Sequence, residues 1–387
     1  MKDLLKKVPA RYFVSFLITK KIVEDQLMFK QKKMAICLSM IISGVASSYA
    51  CAEDSSTKVD VETYGQINLG YMNGNAAGGS ESYIVDNDNS ASRVGAKLSG
   101  YVDELGVTVG AHVELEYQQN ASNVVKPEAR SADGEFNERH LNLFVQGGFG
   151  KVSLGQGDGA ANGNVERDLS GTSVVSFANP ALVGGALAFI DNATGDELAL
   201  KSAMSDQDFE SRYSRLRYDA PSVGPVSLAV SQGVKDNSDV TEVGARVSVP
   251  FVGKLVAGLG YSIKDVGGAT GDVTTAGGSV SWLSSAGVSI TGAYSRVGDD
   301  EASNPDSDFY LVKLGYKVGK HAFDVHYAEA ADRAAEGDSA ETKGVGYVYA
   351  PVKWLDVYAG YNIHSLDRRS GDYDDVKTLL LGTRVKF

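Results

Sequence analysis

Cysteine is nearly missing from this chain of 387 residues: only Cys37 and Cys51 occur, both ahead of residue 53. A disulfide framework is thereby excluded for residues 53–387, so stability there must come from another source. Long apolar runs are missing too. No stretch of 53–387 reaches the ~20 apolar residues that a membrane-spanning helix needs. Basic charge is short: 37 Lys and Arg stand against 49 Asp and Glu. Because residues 1–52 hold nine of the former and three of the latter, 53–387 carries a net charge of −18. That balance excludes a nucleic-acid partner and fits loops facing an aqueous, cation-rich surface.

What is present begins with an export signal. Lys30, Lys32 and Lys33 precede an apolar stretch from Met34 to Val45, and Ala50-Cys51-Ala52 supplies an A-x-A cleavage site before Glu53. This is the charged, apolar, small-residue order of a secretory leader. Residues 1–27 carry no comparable design. The expectation is that 1–27 is a mis-assigned extension (or a genuine unstructured leader), 28–52 the signal peptide, and 53–387 the mature chain. A lipoprotein starting at Cys51 would need an apolar lead-in that Ser48-Tyr49-Ala50 lacks.

From Val59 the chain alternates. Val59, Val61, Ile67, Leu69 and Tyr71 share one parity, whereas Asp60, Glu62, Gln66 and Asn68 share the other. Period two is the mark of a strand with two unlike faces. Similar units recur around 92–101, 106–117, 138–146, 151–156, 211–219, 226–232, 241–249, 254–263, 274–283, 287–296, 308–318, 321–328, 342–350, 355–364 and 375–387, making sixteen. In the last, Leu379, Leu381, Thr383, Val385 and terminal Phe387 oppose Thr378, Gly382, Arg384 and Lys386.

Short breaks such as 147–150, 250–253, 284–286 and 319–320 alternate with long polar ones at 73–90, 118–135, 157–210, 233–240, 264–273, 297–307, 329–341 and 365–374. Short turns at one end and long loops at the other characterise outer-membrane barrels, and closure pairs every backbone group. Tyr71, Tyr117, Tyr261, Tyr294, Tyr316, Tyr327, Tyr361 and Trp282 fall near strand ends on the apolar face, where interfacial girdles form. The fold expected is all-β: a 16-stranded antiparallel transmembrane β-barrel. One break stands apart. Residues 157–210 contain their own apolar piece, Leu182 to Ile190, which needs something to pack against. The expectation is a long third loop folded inward, the alternative being an extra strand pair at the rim.

These segments together resemble the general diffusion porins of Gram-negative outer membranes. Val61-Glu62-Thr63-Tyr64-Gly65-Gln66-Ile67-Asn68-Leu69-Gly70 is similar to the family's opening strand, and Ser92 to Gly100 to its second. Phe136-Asn137-Glu138-Arg139-His140-Leu141-Asn142-Leu143, then Gly148 to Gly155, is the most characteristic stretch; Leu216 to Pro221 and Phe387 complete it. Two departures are Gln156, where many relatives carry arginine, and the Gly- and Ala-rich run 157–163. The resemblance implies passive diffusion of small hydrophilic solutes and ions through a homotrimer in the cell outer membrane. It also implies outer-membrane lipid, lipopolysaccharide and the barrel assembly machinery as partners, with Phe387 as the C-terminal assembly signal. A substrate-specific channel, or a barrel serving mainly as an adhesin, is the alternative.

A pore selects by bore and by fixed charge. Alternation points Arg93, Lys97, Arg215, Arg217 and Arg246 inward, and Glu166 and Asp168 are the loop acids expected to face them across the constriction. The resemblance adds Arg139, yet parity groups Arg139 with Leu141 and Leu143 on the lipid side. An arginine at the midplane costs ~2–4 kcal/mol, so either Arg139 lies near the rim or the strand bulges. Catalysis is not expected. His326 with Asp324 and His112 with Glu114 could share a face, but His140, His321 and His364 add no nucleophile motif. Asp86 to Ser90 lacks the glycine and distal glutamate of a calcium loop, and Gly155 to Gly159 lacks a surrounding βαβ unit. No cofactor is expected.

Overall fold

The computed structural model describes residues 59–76, 79–267, 271–300, 305–369 and 371–387. The extension, signal peptide and cleavage site expected over 1–52 lie outside the described residues. The chain divides into two compact units, Met1–Val61 and Glu62–Phe387; of the first only Val59–Val61 are described.

The strands in order are β1 (Val59–Ala76), β2 (Gly79–Asp86), β3 (Arg93–Val102), β4 (Val107–Gln118), β5 (Glu135–Gly147), β6 (Gly150–Asp158), β7 (Ala188–Ile190), β8 (Glu197–Ala199), β9 (Arg212–Asp219) and β10 (Val226–Lys235). There follow β11 (Ser238–Pro250), β12 (Gly253–Asp265), β13 (Asp272–Ser284), β14 (Val288–Asp299), β15 (Ser307–Val318), β16 (His321–Ala331), β17 (Ser339–Val352), β18 (Leu355–Arg368), β19 (Gly371–Asp372) and β20 (Val376–Lys386). β7 and β8 form a separate two-stranded sheet. β2 and β3 both pair with β1, so they fill one place in the wall. With β19 a two-residue stub, sixteen antiparallel staves remain among the described residues, and β20 pairs with β1 to close the ring.

Closure uses the terminal residue. Gly65 N–H donates to Phe387 O at 2.8 Å and Phe387 N–H donates back to Gly65 O at 3.0 Å. A Cβ at Gly65 would lie 2.5 Å from Phe387 Cζ, so only glycine lets the ring cross β1. Leu143, Leu154 and Leu259 stand more than 60% exposed on the outer face. The opposite parity carries buried polar groups such as Ser279, Ser281, Thr291 and Ser295. Apolar outside and polar inside is the solution to lipid around and water within. Among the described residues no helix is long and apolar enough to cross a membrane.

Three expectations from the sequence are corrected. Residues 73–90 are mostly strand rather than loop, since β1 runs to Ala76 and pairs with β2. Residues 233–240 are not a long loop: only Asp236 and Asn237, with φ of 52° and 66°, join β10 to β11. Two successive left-handed residues match the strand twist, and Asp and Asn tolerate that conformation. Polar composition misled in both places, because strands that pass the apolar band at the rim have no need of apolar residues. The third concerns the parity of Arg139. The β4–β5 register shifts between Glu114 and Leu115, where Glu114 faces His140 but Leu115 faces Glu138. Arg139 is the extra residue of a β-bulge, which reverses the alternation upstream of it. Leu141 and Phe136 thus both point outward although they differ in parity.

Candidate functional site

The 159–211 segment joins β6 to β9. Its residues hydrogen-bond to the inner side of the wall: Arg167 N–H to Ser279 Oγ at 2.9 Å, Leu169 N–H to Ser281 Oγ at 2.9 Å, and Asn164 Nδ2 to the backbone oxygen of Leu259 at 2.7 Å. Glycines on the wall make room for it. A Cβ at Gly258 would meet Asn164, one at Gly360 would meet Val175, and one at Gly260 would meet Phe209 and Ala161.

Apolar packing adds to these bonds. Leu187, Phe189, Leu200 and Met204 cluster with Phe309, Leu311, Ala328, Ala340, Leu366 and Val376 of β15–β18 and β20. Val174, Val175 and Val183 join a second cluster with Met72, Tyr83, Tyr358 and Leu380. The apolar piece 182–190 includes β7, whose hairpin partner is β8, so a strand pair and a buried apolar patch coexist in one segment. The hairpin tip reaches the last long connection, with Asn192 N–H donating to Asp372 O at 2.9 Å.

Between this segment and the wall lies a cavity of about 430 Å³. Arg93, Arg139, Arg212 and Arg384 line it, with Asp88, Glu116 and Glu166. Arg139 donates from Nε to Glu114 Oε1 at 2.5 Å and from Nη1 to Glu116 Oε2 at 2.6 Å. Arg93 Nε lies 3.8 Å from Glu114, whose other partner is Tyr64 Oη at 2.7 Å. His112 and His140 stack beside them at 4.2 Å. Arg384 is held by Asp356 and Ser90 Oγ, and Arg212 pairs with Asp158 at 3.1 Å.

The remaining residues expected at the constriction sit elsewhere. Arg215 donates to Gly155 O at 2.9 Å and Asp158 O at 3.0 Å. Arg217 donates to Gly159 O and to Asp219, and Arg246 to Asn164 Oδ1 and Asn162 O. Three guanidinium groups thus grip backbone and amide oxygens at the root of the segment. Glycine in the run makes room at this root: a Cβ at Gly157 would lie 2.8 Å from Arg215 Nη2, and one at Gly159 would collide with the Glu242 carboxylate. Lys97 lies over the Tyr64 ring at 5.3 Å.

The two loop acids separate. Asp168 does not face the β9 arginines; it accepts from Lys313 Nζ of β15 at 3.0 Å and from Thr291 Oγ1 at 3.2 Å. Burial pushes its carboxyl up, but Lys313 and the Ser170 hydrogen bonds outweigh that and hold it below the usual range. Glu166 instead sits with Asp206 and Asp208. Burial, then mutual repulsion, raises Glu166 well above its ordinary value and pushes Asp206 up to about 7. Asp208 is pushed up to about 6 by burial, against the N–H groups of Gly163 and Val165.

Sequence patterning gives no sign of Glu116 or Arg212 at the cavity, includes Asp88 only in a stretch that lacks the marks of a calcium loop, and puts Arg384 on the inner face of the last strand without a role. Arg212 shares parity with outward Leu216 and Tyr218, and Asp88 falls in the short turn between β2 and β3, so alternation could find neither. The β15 sequence does carry a sign of the covering segment. Phe309 and Leu311 are inward while Tyr310, Val312 and Leu314 are outward, and a strand apolar on both faces needs cover on both. The His326–Asp324 pair is real, at 2.7 Å, but His326 Nε2 is engaged by Asn362 in a buried network. Among the described residues no group of His, Cys, Asp and Glu is arranged to hold a metal ion.

The family described as Gram-negative porin matches residues 38–368. The fold is similar to an anion-selective porin from Comamonas acidovorans, at 17% identity and a TM-score of 0.60, covering 85% of this chain and 100% of that one. It is similar to the in-vitro folded, trimer form of OmpT, an outer membrane protein of Vibrio cholerae, at 18% identity and a TM-score of 0.54, covering 85% and 99%. The outer membrane channel DcaP of Acinetobacter baumannii is similar at 14% identity and a TM-score of 0.57, covering 85% and 97%. At such identities the likeness is one of fold. The sequence matches no curated protein.

Proposed function

This chain belongs to the Gram-negative porin family, and we propose that its pore is narrowed by the 159–211 segment to a charged eyelet. The protein is an outer-membrane porin, a water-filled barrel through which small hydrophilic solutes and ions diffuse passively. The cavity between that segment and the wall carries the proposal, because four arginines and three carboxylates converge on its lining. Arg93, Arg139 and Arg212 belong to the wall, and their fixed charges on one side of the path orient polar solutes. Arg215, Arg217 and Arg246 serve the eyelet indirectly by holding its root, and Lys97 lines the wall beside Tyr64.

We read the rest of the biology in the same way. The chain assembles as a homotrimer, as the trimer form of the similar Vibrio cholerae OmpT suggests, within lipid and lipopolysaccharide after delivery to the barrel assembly machinery. Cleavage after Ala52 releases it for export. Family and fold are those of a channel, and the His326–Asp324 pair serves the wall rather than catalysis.

Solute flux into liposomes tests this reading. Unrelated small sugars should enter at rates that fall smoothly with size. Saturation by one class of solute would instead identify a specific channel, and absence of flux an adhesin barrel.

A further inference from the structure

Lys313 is a lysine on the inner wall with only 1% of its surface exposed. Lysine is almost never buried so completely unless its charge is matched. Its ammonium group donates to Asp168 Oδ2 at 3.0 Å and to the backbone oxygen of Ser176, at a very short distance. Both partners belong to the 159–211 segment, eight residues apart. One cation from the wall therefore ties together the two ends of a loop-within-the-loop. Asp168 is further fixed by Ser170 N–H at 2.8 Å and Ser170 Oγ at 2.7 Å.

The surroundings fit a point of attachment. Lys313 faces His326 of β16 across the sheet, and Asp324 lies within electrostatic reach. Gly346 of β17 leaves the space that Ser176 fills, since a Cβ there would fall within bonding reach of Ser176 Oγ. Apolar packing covers the segment on either side, through Phe189 with Leu311 and through Val175 with Tyr358. Those contacts are non-directional, so they permit sliding. The ion pair does not, because its strength depends on one register.

We infer that Lys313 is a positioning residue for permeation: its buried ammonium latches residues 168–176 to the wall and so sets the width of the eyelet. This inference rests on the reading that the 159–211 segment narrows the pore. A lumenal lysine would ordinarily act as a fixed charge on passing ions. This one is walled off from them and acts through the segment it holds.

The test combines hydrogen exchange with single-channel recording on the full mature barrel. Lys313→Met should raise amide exchange across 168–176 by about 10²-fold or more, the scale set by breaking a buried ion pair. It should also replace one steady conductance with a larger, noisier one. Asp168→Asn, which keeps the lysine and the shape of its partner, should act in the same direction even if Lys313→Met folds poorly. The rise in exchange should be confined to 168–176, whereas a purely structural lysine would raise exchange across β15 and β16 as well. Unchanged exchange in both single variants overturns the latch. Faster exchange with unaltered conductance leaves the latch standing and overturns the eyelet reading on which it rests.

Discussion

Replacing Arg139 with leucine separates two accounts of the β5 strand by the sign of the effect. Under unbroken alternation Arg139 would face lipid, and removing it would stabilise the barrel by ~2–4 kcal/mol. The bulge opposite Glu114 turns it inward instead, where its guanidinium bridges Glu114 and Glu116. The side chains of Arg139, Glu114 and Glu116 are only 17%, 8% and 10% exposed. Breaking a pair so enclosed costs ~3–5 kcal/mol, because the carboxylates stay buried without their partner. Arg93 at 3.8 Å recovers part of this for Glu114, so the expected loss is near the lower end, ~3 kcal/mol. Equilibrium unfolding in urea, with the barrel inserted in lipid vesicles, reads the difference directly. The reversal potential under a salt gradient should move towards cation selectivity as well. Stabilisation by Arg139→Leu, or no change, would refute the inward bulge and with it the arginine lining of the eyelet.

Other consequences can be checked singly. Leu381, in the middle of β20 and 43% exposed on the outer face, should not accept arginine: Leu381→Arg should cost ~2–4 kcal/mol and lower the fraction of heat-modifiable barrel on gels. The Glu166, Asp206 and Asp208 cluster predicts a pH dependence of opposite sign to ordinary acid denaturation. Groups raised above their unfolded values bind more protons when folded, so attachment of the segment is strongest below about pH 4 and weakens as pH climbs towards 7. The opening equilibrium across 160–167, read as exchange divided by the intrinsic base-catalysed rate at each pH, should therefore rise over that range, and Asp206→Asn should flatten the trend. If that ratio falls as pH rises, the carboxylates are not sharing protons.

The barrel itself was legible in the sequence. Alternation of period two has a physical cause that acts residue by residue, because lipid lies on one side of every stave and water or protein on the other. Sixteen units, the outward parity of Leu381, and the inward parity of Arg215 and Arg217 all follow from it. Strand ends were less legible, since β2 and the Asp236-Asn237 turn lie where the rim no longer enforces the pattern.

The site was readable only in part. Arg93, Arg139 and Glu166 line the cavity, whereas Arg215, Arg217 and Arg246 bind the root of the segment and Asp168 binds the wall from within it. Their facing direction could be counted along a strand, whereas their partners could not. Partners are set by how 159–211 lies across β11–β18, a matter of contacts more than a hundred residues apart, such as Asp168 with Thr291 or Lys313. A single inserted residue at Arg139 likewise reverses the parity upstream of it and leaves no mark in composition. Local sequence fixes which face a side chain takes while the ladder is regular. Long-range packing decides where the ladder breaks and which charges remain free to meet a solute.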